Sequence, residues 1–90
     1  MEIVEKLKIV NKLGLHLRAA AELVKITSKY KCRVLVRSHD HHVDGKSLMN
    51  LLTLAASYGS ELTFVIQGDD APDALQAIRG LVTNKFGERE

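Results

Sequence analysis

The sequence contains very little cysteine, proline or aromatic residue, and it lacks long apolar runs. Among 90 residues there are one Cys, one Pro, no Trp, two Tyr and two Phe. The single Cys32 cannot form an intrachain disulfide, which fits a reducing cytosol. No apolar run approaches the ~20 residues that span a bilayer, and the opening Met1–Val10 alternates charged and apolar residues, unlike a signal peptide. We therefore expect a soluble, cytoplasmic protein.

An excess of charge of one sign is also lacking. The chain has 13 Lys and Arg against 11 Asp and Glu, a formal net charge of +2, which gives no support for general nucleic-acid binding. An RNA-binding or metal-carrying domain would further need base-stacking aromatics on its strands, a GXXG loop or a CxxC pair, and none is present. The length predicts one small domain over residues 1–90, with a modest core and no room for a separate substrate domain.

Hydrophobic periodicity predicts the element order βαββαβα. The predicted strands are Glu2–Val10, Cys32–Arg37, His41–Asp44 and Glu61–Gln67, and the predicted helices are Leu17–Ser28, Leu48–Ala55 and a last helix capped by Asp70 and terminated near Gly87. Each strand has one apolar face and each long helix one apolar stripe, so the expected class is α+β, an antiparallel sheet with helices on one face.

The turns and the last residues carry weaker signals. Gly14 is free to adopt φ > 0 in the first turn, and Asp40 tolerates left-handed geometry in the turn between the second and third strands. The charged residues from Glu88 onward are expected to fray.

The stretch Asn11–Ala21 carries the main chemical signal. It places His16 between a glycine-led turn and the first helix. The first N–H groups of a helix have no intrahelical partner and form a positive end that suits phosphate. Arg18 adds a guanidinium fork suited to phosphate oxygens. A neutral imidazole is a good nucleophile near neutral pH, so this pattern indicates a histidine that carries a phosphoryl group. The alternative interpretation is a helix-capping, partly buried histidine without a further role.

Two motifs in register carry a family resemblance. Gly14-Leu15-His16-x-Arg18-x-Ala20 resembles the active-site motif of HPr, the histidine phosphocarrier of the bacterial phosphoenolpyruvate-dependent phosphotransferase system. The segment Gly45–Leu54 resembles the family's regulatory serine segment, and the separation of His16 and Ser47 matches the family. The chain departs from the family at Leu17, where a small residue is usual, and at Ala19, where proline is usual.

The resemblance implies an HPr-like open-faced two-layer sandwich with four antiparallel strands and three helices. It implies that Nδ1 of His16 accepts a phosphoryl group from phospho-enzyme I and passes it to an enzyme IIA domain, with Arg18 stabilising the phosphate. Such a protein is a transfer intermediate, not an enzyme, and we expect it to be monomeric and to need no cofactor. A second hypothesis is a regulatory relative, phosphorylated at His16 or Ser47, that acts by binding a kinase, transporter or transcription factor.

Ser47 has two interpretations that are compatible with each other. Its hydroxyl predicts an N-cap for the second helix. The resemblance adds a regulatory phosphorylation site, acted on by a serine kinase or phosphorylase. The resemblance also implies that an apolar patch near it docks enzyme I and the acceptor domains, and the residues assigned to docking are Leu48, Met49, Leu52 and Lys25.

Ala19 alters the local backbone where the family has proline. Proline would fix φ and supply no N–H, so alanine makes the junction more flexible, at a typical cost of ~0.4–1 kcal/mol, and adds one donor near the phosphate site.

Histidines are concentrated between the second and third strands. The positions are His39, His41 and His42, with Asp40 and Asp44 beside them. His39 and His41 share a strand face and His42 points the other way, and no second cluster completes a closed site. We predict a solvated hairpin and no metal site.

Overall fold

The computed structural model describes residues 1–90. The strands are β1 (Glu2–Lys8), β2 (Arg33–Ser38), β3 (His41–Asp44) and β4 (Glu61–Gln67), and the helices are α1 (Leu17–Thr27), α2 (Leu48–Leu52) and α3 (Ala71–Thr83), followed by a short 3₁₀ turn at Lys85–Gly87. The predicted order βαββαβα is therefore confirmed. None of these helices has the length and apolar character needed to cross a membrane.

The four strands form one antiparallel sheet in the order β1-β4-β2-β3. Alternation along each strand gives the sheet one apolar face, which the helices cover, and one polar face. Leu7 lies opposite Leu62 between β1 and β4, and Val34 lies opposite Ile66 between β2 and β4, so the inward rows meet in register. The fold is thus the expected open-faced sandwich of four strands and three helices.

One hydrophobic core lies between the sheet and the helices. Its fully buried members include Phe64 and Ile66 from β4, Leu23 from α1, and Ile78 and Val82 from α3. Burial of a side chain of this size contributes roughly 1.5–3 kcal/mol. The core therefore fixes the positions of the first and last helices.

Several predicted boundaries were wrong by a few residues. β1 ends at Lys8, since Ile9 exchanges backbone hydrogen bonds with Ser60 and Gly59 outside the regular ladder. α2 ends at Leu52, three residues before Ala55, which has φ +48°. Thr53 is the C-cap of α2, and its hydroxyl donates a hydrogen bond to the carbonyl oxygen of Asn50 at 2.6 Å. This hydrogen bond helps to end the helix before Ala55.

The β2–β3 turn and the end of α3 also differ from expectation. The left-handed residue of the turn is His39, with φ +56°, and not Asp40. α3 ends at Thr83, so Gly87 does not terminate it directly. Three left-handed residues follow, Lys85, Phe86 and Gly87, and they turn the chain back toward the start of α1.

Candidate functional site

His16 is the N-cap of α1, where the glycine-led turn meets the helix. Gly14 has φ +74°, and a Cβ there would lie 2.6 Å from the carbonyl oxygen of Ala56. The N–H of Leu15 donates to that same oxygen at 2.9 Å. Only glycine fits this close approach at positive φ, so the turn that precedes His16 is set by local sequence and by one contact with the loop after α2.

The two nitrogens of the His16 ring have different partners. Nδ1 accepts a hydrogen bond from the backbone N–H of Arg18 at 3.2 Å. Nε2 lies 2.5 Å from Oε2 of Glu88. Because the Arg18 N–H can only donate, Nδ1 must be an acceptor there, and the ring proton belongs on Nε2, where the Glu88 carboxylate accepts it. The lone pair of Nδ1 therefore faces the start of α1.

Glu88 belongs to the stretch that was expected to fray, and that expectation was wrong. Its side chain is only 11% exposed, and its other oxygen, Oε1, accepts from Nδ2 of Asn11 at 2.9 Å. Burial favours the neutral acid, but the hydrogen bonds from Asn11 and His16 and the nearby positive charge of Arg18 outweigh it, so the pKa of Glu88 lies below its usual range. Glu88 is therefore ionised at neutral pH.

Asn11 orients both the turn and Glu88. It is fully buried, and its Nδ2 also donates to the carbonyl of Gly14 at 2.8 Å. Sequence reasoning assigned no role to Asn11 or Glu88. Two features of the sequence could have indicated these roles: a polar residue, Asn11, at the start of the turn, and a phenylalanine, Phe86, after the last helix. The side chain of Phe86 is buried and anchors the final residues.

The first turn of α1 retains free donors beside Nδ1. The N–H groups of Leu17 and Ala19 have no partner in the chain, whereas the N–H of Ala20 bonds the carbonyl of His16. Ala19 is fully buried, so the donor that replaces the family proline lies at the packed side of the helix. These N–H groups and the dipole of the 11-residue helix create a positive site.

Arg18 is exposed and enters none of the four ion pairs of the chain. Arg18 lines a cleft of about 540 Å³ together with Lys12, Leu13 and residues 87–90. Its guanidinium is thus free to bind an anion next to the ring of His16, which is 29% exposed.

Ser47 forms the predicted N-cap. Its Oγ accepts from the backbone N–H of Asn50 at 3.3 Å, and its backbone is extended as N-cap geometry requires. The side chain is half-buried. Nζ of the neighbouring Lys46 donates to the carbonyl oxygen of Tyr30 at 2.6 Å. The loop before α2 is therefore held by the Lys46 side chain on one side of Ser47 and by the Asn50 N–H on the other.

The four residues assigned to docking differ in exposure. Met49 is 70% exposed, whereas Leu48 and Leu52 are half-buried and pack against the core. Lys25 is exposed and pairs with Glu22 at 3.2 Å. Leu17, the first residue of α1 and the chain neighbour of His16, is also an exposed large apolar side chain.

The histidines of the β2–β3 hairpin lie apart from this site. His39, His41 and His42 are exposed, and His41 Nε2 contacts Oγ1 of Thr53 at 3.0 Å. No group of three or more His, Cys, Asp or Glu side chains is arranged to hold a metal ion.

Comparisons with known proteins agree with this geometry. The family model described as the PTS HPr component phosphorylation site matches residues 3–84. A phosphocarrier protein HPr of Pseudomonas aeruginosa is 43% identical over 94% of this chain and 96% of its own length, and one of Treponema pallidum is 36% identical over 96% and 98%.

Solved structures give the same result. A crystal structure of HPr-C-His from Thermoanaerobacter tengcongensis has a TM-score of 0.93 and 34% identity, and covers 98% of this chain and 99% of that one. Crh, the catabolite repression protein of Bacillus subtilis, crystallised as a swapped dimer, has a TM-score of 0.74 and 32% identity over 90% of this chain and 93% of that one. Because the family model covers most of the chain and the relatives match over nearly their whole lengths, this chain belongs to the HPr family of phosphocarrier proteins of the phosphotransferase system.

Proposed function

We propose that this chain accepts a phosphoryl group on Nδ1 of His16 from phospho-enzyme I and passes it to an enzyme IIA domain, in sugar uptake or in its regulation. It would act in the cytoplasm as one phosphocarrier unit over residues 1–90, itself phosphorylated and without turnover of a free substrate. The observation that supports this most strongly is the hydrogen bond from the Arg18 N–H to Nδ1, because it directs the lone pair of Nδ1 at a helix N-terminus.

The chemistry follows from that placement. The Nδ1 pair attacks phosphorus, and the donor histidine leaves with the electron pair of its own P–N bond. The Arg18 N–H that bonds Nδ1 in the free protein then donates to a phosphate oxygen, together with the free N–H group of exposed Leu17. Phosphoryl transfer depends mainly on such positioning and charge stabilisation. The exposed guanidinium of Arg18 supplies the remaining positive charge.

Partner docking uses the surface around His16 in this proposal. Met49 is the exposed apolar member, Leu48 and Leu52 are half-buried and pack against the core, and Lys25 is exposed on α1. An adaptable methionine suits a surface that must accept both enzyme I and acceptor domains. We expect the protein to act as a monomer, which light scattering would test.

Regulation through Ser47 forms the second part of the proposal. A serine kinase would add a dianion at the edge of the docking surface, where it repels an acidic partner, and a phosphorylase would remove it. The likeness to Crh favours, as a second candidate function, a regulatory relative that acts mainly by binding such partners.

The test is incubation with phosphoenolpyruvate and enzyme I, followed by intact mass. We expect one phosphoryl adduct that is acid-labile and base-stable. His16→Ala should fold and lose the adduct, and His42→Ala, the matched removal of an exposed histidine away from the site, should keep it. An adduct that persists in His16→Ala would contradict the proposal.

A further inference from the structure

The open face of the sheet carries a polar cleft. The helices cover one face of the sheet, and alternate residues of the four strands point outward from the other. A cleft of about 500 Å³ lies on this open face beside the β2–β3 turn, and none of its lining residues is hydrophobic. It shares no residue with the cleft that Arg18 lines. The open-face cleft is therefore separate from the site around His16.

Strand register places three polar residues in one row across the open-face cleft. Lys6 of β1 lies opposite Thr63 of β4, and on its other side Thr63 lies opposite Arg37 of β2. Since neighbouring strands are about 4.8 Å apart, the Cα atoms of Lys6 and Arg37 are roughly 10 Å apart, with Thr63 between them. The two long side chains can therefore reach the same anion above Thr63.

The positive charges of this row have no counter-ion in the chain. Neither Lys6 nor Arg37 enters any of the four ion pairs. In the next row on the same face, by contrast, Lys8 lies opposite the acidic Glu61. The row through Thr63 is thus a place on the open face where positive charge is left for a ligand.

The hydroxyl of Thr63 is also left without a partner. Thr63 is only 7% exposed, yet its side chain makes no hydrogen bond within the chain. Buried side-chain hydroxyls are usually bonded, and Thr27, the other buried threonine, donates to the carbonyl oxygen of Gly45 at 2.8 Å. Because Thr63 lines the open-face cleft, its hydroxyl is available to a ligand there.

We propose that the open-face cleft binds a small, hydroxyl-rich phosphate monoester, whose phosphate group lies over Thr63 between Lys6 and Arg37. The guanidinium of Arg37 offers a planar fork to phosphate oxygens, and the ammonium of Lys6 adds a point charge. The Thr63 hydroxyl is a third donor. The volume of the cleft lies within the range of small-molecule sites, roughly 300–1,000 Å³.

The other lining residues favour a ligand whose body carries hydroxyl groups. Asp40 and Glu61 present carboxylates that accept hydrogen bonds. Ser60 donates its own proton to the carbonyl oxygen of Ser57 at 2.6 Å, so its hydroxyl oxygen remains an acceptor. A wall without aromatic or aliphatic side chains offers nothing for a nucleobase to stack on. The two carboxylates would repel an extended acidic surface, which favours a small ligand over an acidic protein or membrane.

The test is an NMR titration of the ¹⁵N-labelled protein with glycerol 3-phosphate, and separately with glycerol and with inorganic phosphate. Amide signals of Lys6, Arg37 and Thr63 report the open-face cleft, whereas those of Leu17 and Arg18 report binding at the start of α1. We expect glycerol 3-phosphate to shift the sheet signals saturably, with a Kd on the order of 1 mM for a small ligand in an open site. Glycerol should leave these signals unchanged, and inorganic phosphate should bind more weakly.

Arg37→Gln should weaken the binding of glycerol 3-phosphate about 10- to 100-fold, as expected for loss of charged hydrogen bonds. Arg33→Gln is the matched control, because Arg33 is exposed on the same strand and face but does not line the cleft. Thr63→Val keeps the shape of the side chain and removes the hydroxyl, so it should weaken binding about 2- to 10-fold.

Thermal melting establishes that these variants fold. If Arg37→Gln does not, the same titration is made on Lys6→Gln. Lys8→Gln is then the control, since Lys8 is exposed on the same strand and face outside the cleft.

Three outcomes would overturn the proposal. Sheet signals that do not shift with glycerol 3-phosphate, whether or not Leu17 and Arg18 respond, would leave the open-face cleft without a ligand of this class. Equal affinities for Arg37→Gln and Arg33→Gln would mean that the face attracts anions by its overall charge. Inorganic phosphate that binds as tightly as glycerol 3-phosphate would show that the hydroxyl-bearing body contributes nothing. None of these outcomes bears on the function proposed for His16, which the phosphorylation assay tests by itself.

Discussion

The carboxylate of Asp70 accepts a hydrogen bond from the backbone N–H of Cys32 at 3.0 Å, and a second one from Lys31 at 2.8 Å. The expected side-chain cap of α3 by Asp70 is therefore wrong: the residue lies at the N-cap, but its carboxylate binds the loop before β2. The hydrogen bond from Lys31 is the main reason that the pKa of Asp70 is lowered from 3.8, with burial opposing. Burial and the same carboxylate raise the pKa of the Cys32 thiol.

Acid should weaken the hydrogen bonds that the Asp70 carboxylate accepts from Lys31 and Cys32. Because the pKa of Asp70 is lower in the folded state than in the unfolded one, its contribution to stability is present above the unfolded value, near 3.8, and is lost as pH falls through the lowered folded value. Asp70→Asn should therefore melt at a lower temperature at pH 7 and lose less stability than the wild type below pH ~4. The control is Asp69→Asn, an exposed neighbour. If the stabilities of Asp70→Asn and the wild type fall equally steeply as the pH is lowered into the acid range, the prediction is contradicted. Glu88 has a shift of the same sign and should account for part of the slope that remains.

Arg18→Ala should slow phosphoryl transfer without unfolding the protein, because the side chain is exposed and unpaired. We expect a loss of rate on the order of 10- to 1000-fold, the range for removal of one charge-stabilising donor. Arg18→Lys should fall between the wild type and Arg18→Ala, since it keeps the charge but not the planar fork. Rapid-quench phosphorylation assays check this, and an unchanged rate in Arg18→Ala would make Arg18 a solvated bystander.

Ser47→Asp should fold with nearly wild-type stability, since aspartate is also a good N-cap for α2. The added charge should slow phosphorylation of His16 modestly, and the effect should shrink at high salt, because exposed charges are screened over ~10 Å or less above 0.1 M. Ser47→Ala, which loses the hydrogen bond to Asn50, should cost about 1 kcal/mol and leave the rate unchanged. Equal rates for Ser47→Asp and the wild type at low salt would leave Ser47 as a helix cap only.

Met49→Glu should weaken binding to enzyme I and leave the melting temperature almost unchanged, because the side chain is 70% exposed. Val4→Glu is the matched control, since it adds the same charge to an exposed apolar residue on the open face of the sheet. Leu48→Glu should lower both affinity and stability, because Leu48 packs against the core. Calorimetric titration and melting, taken together, distinguish these outcomes, and equal affinities for Met49→Glu and Val4→Glu would remove the docking role of α2.

The elements that sequence reasoning located best are those whose determinants lie close together in the chain. Gly14 provides the turn before α1, and Ser47 bonds an N–H three residues ahead. The Ser47 cap depends only on atoms within one turn of helix, and the positive φ of Gly14 is a property of that residue, whereas the contact of Gly14 with Ala56 comes from the tertiary structure. The ends of α2 and α3 were placed less well, because hydrophobic periodicity gives no sharp signal where a helix tightens or reverses into left-handed residues.

The amino-acid sequence by itself determined that an imidazole stands at a helix N-terminus with an arginine two residues on, because the strand, glycine turn and amphipathic helix are encoded by short-range spacing. Only the tertiary structure decided what holds that imidazole. Glu88 lies 72 residues from His16 and 77 from Asn11, and Asp70 lies 38 from Cys32. Periodicity carries no information about which distant polar groups pair once the core is packed. A charged residue after the last helix looks the same in the sequence whether it is solvated or, as here, brought by the buried Phe86 and three left-handed residues against the ring of His16.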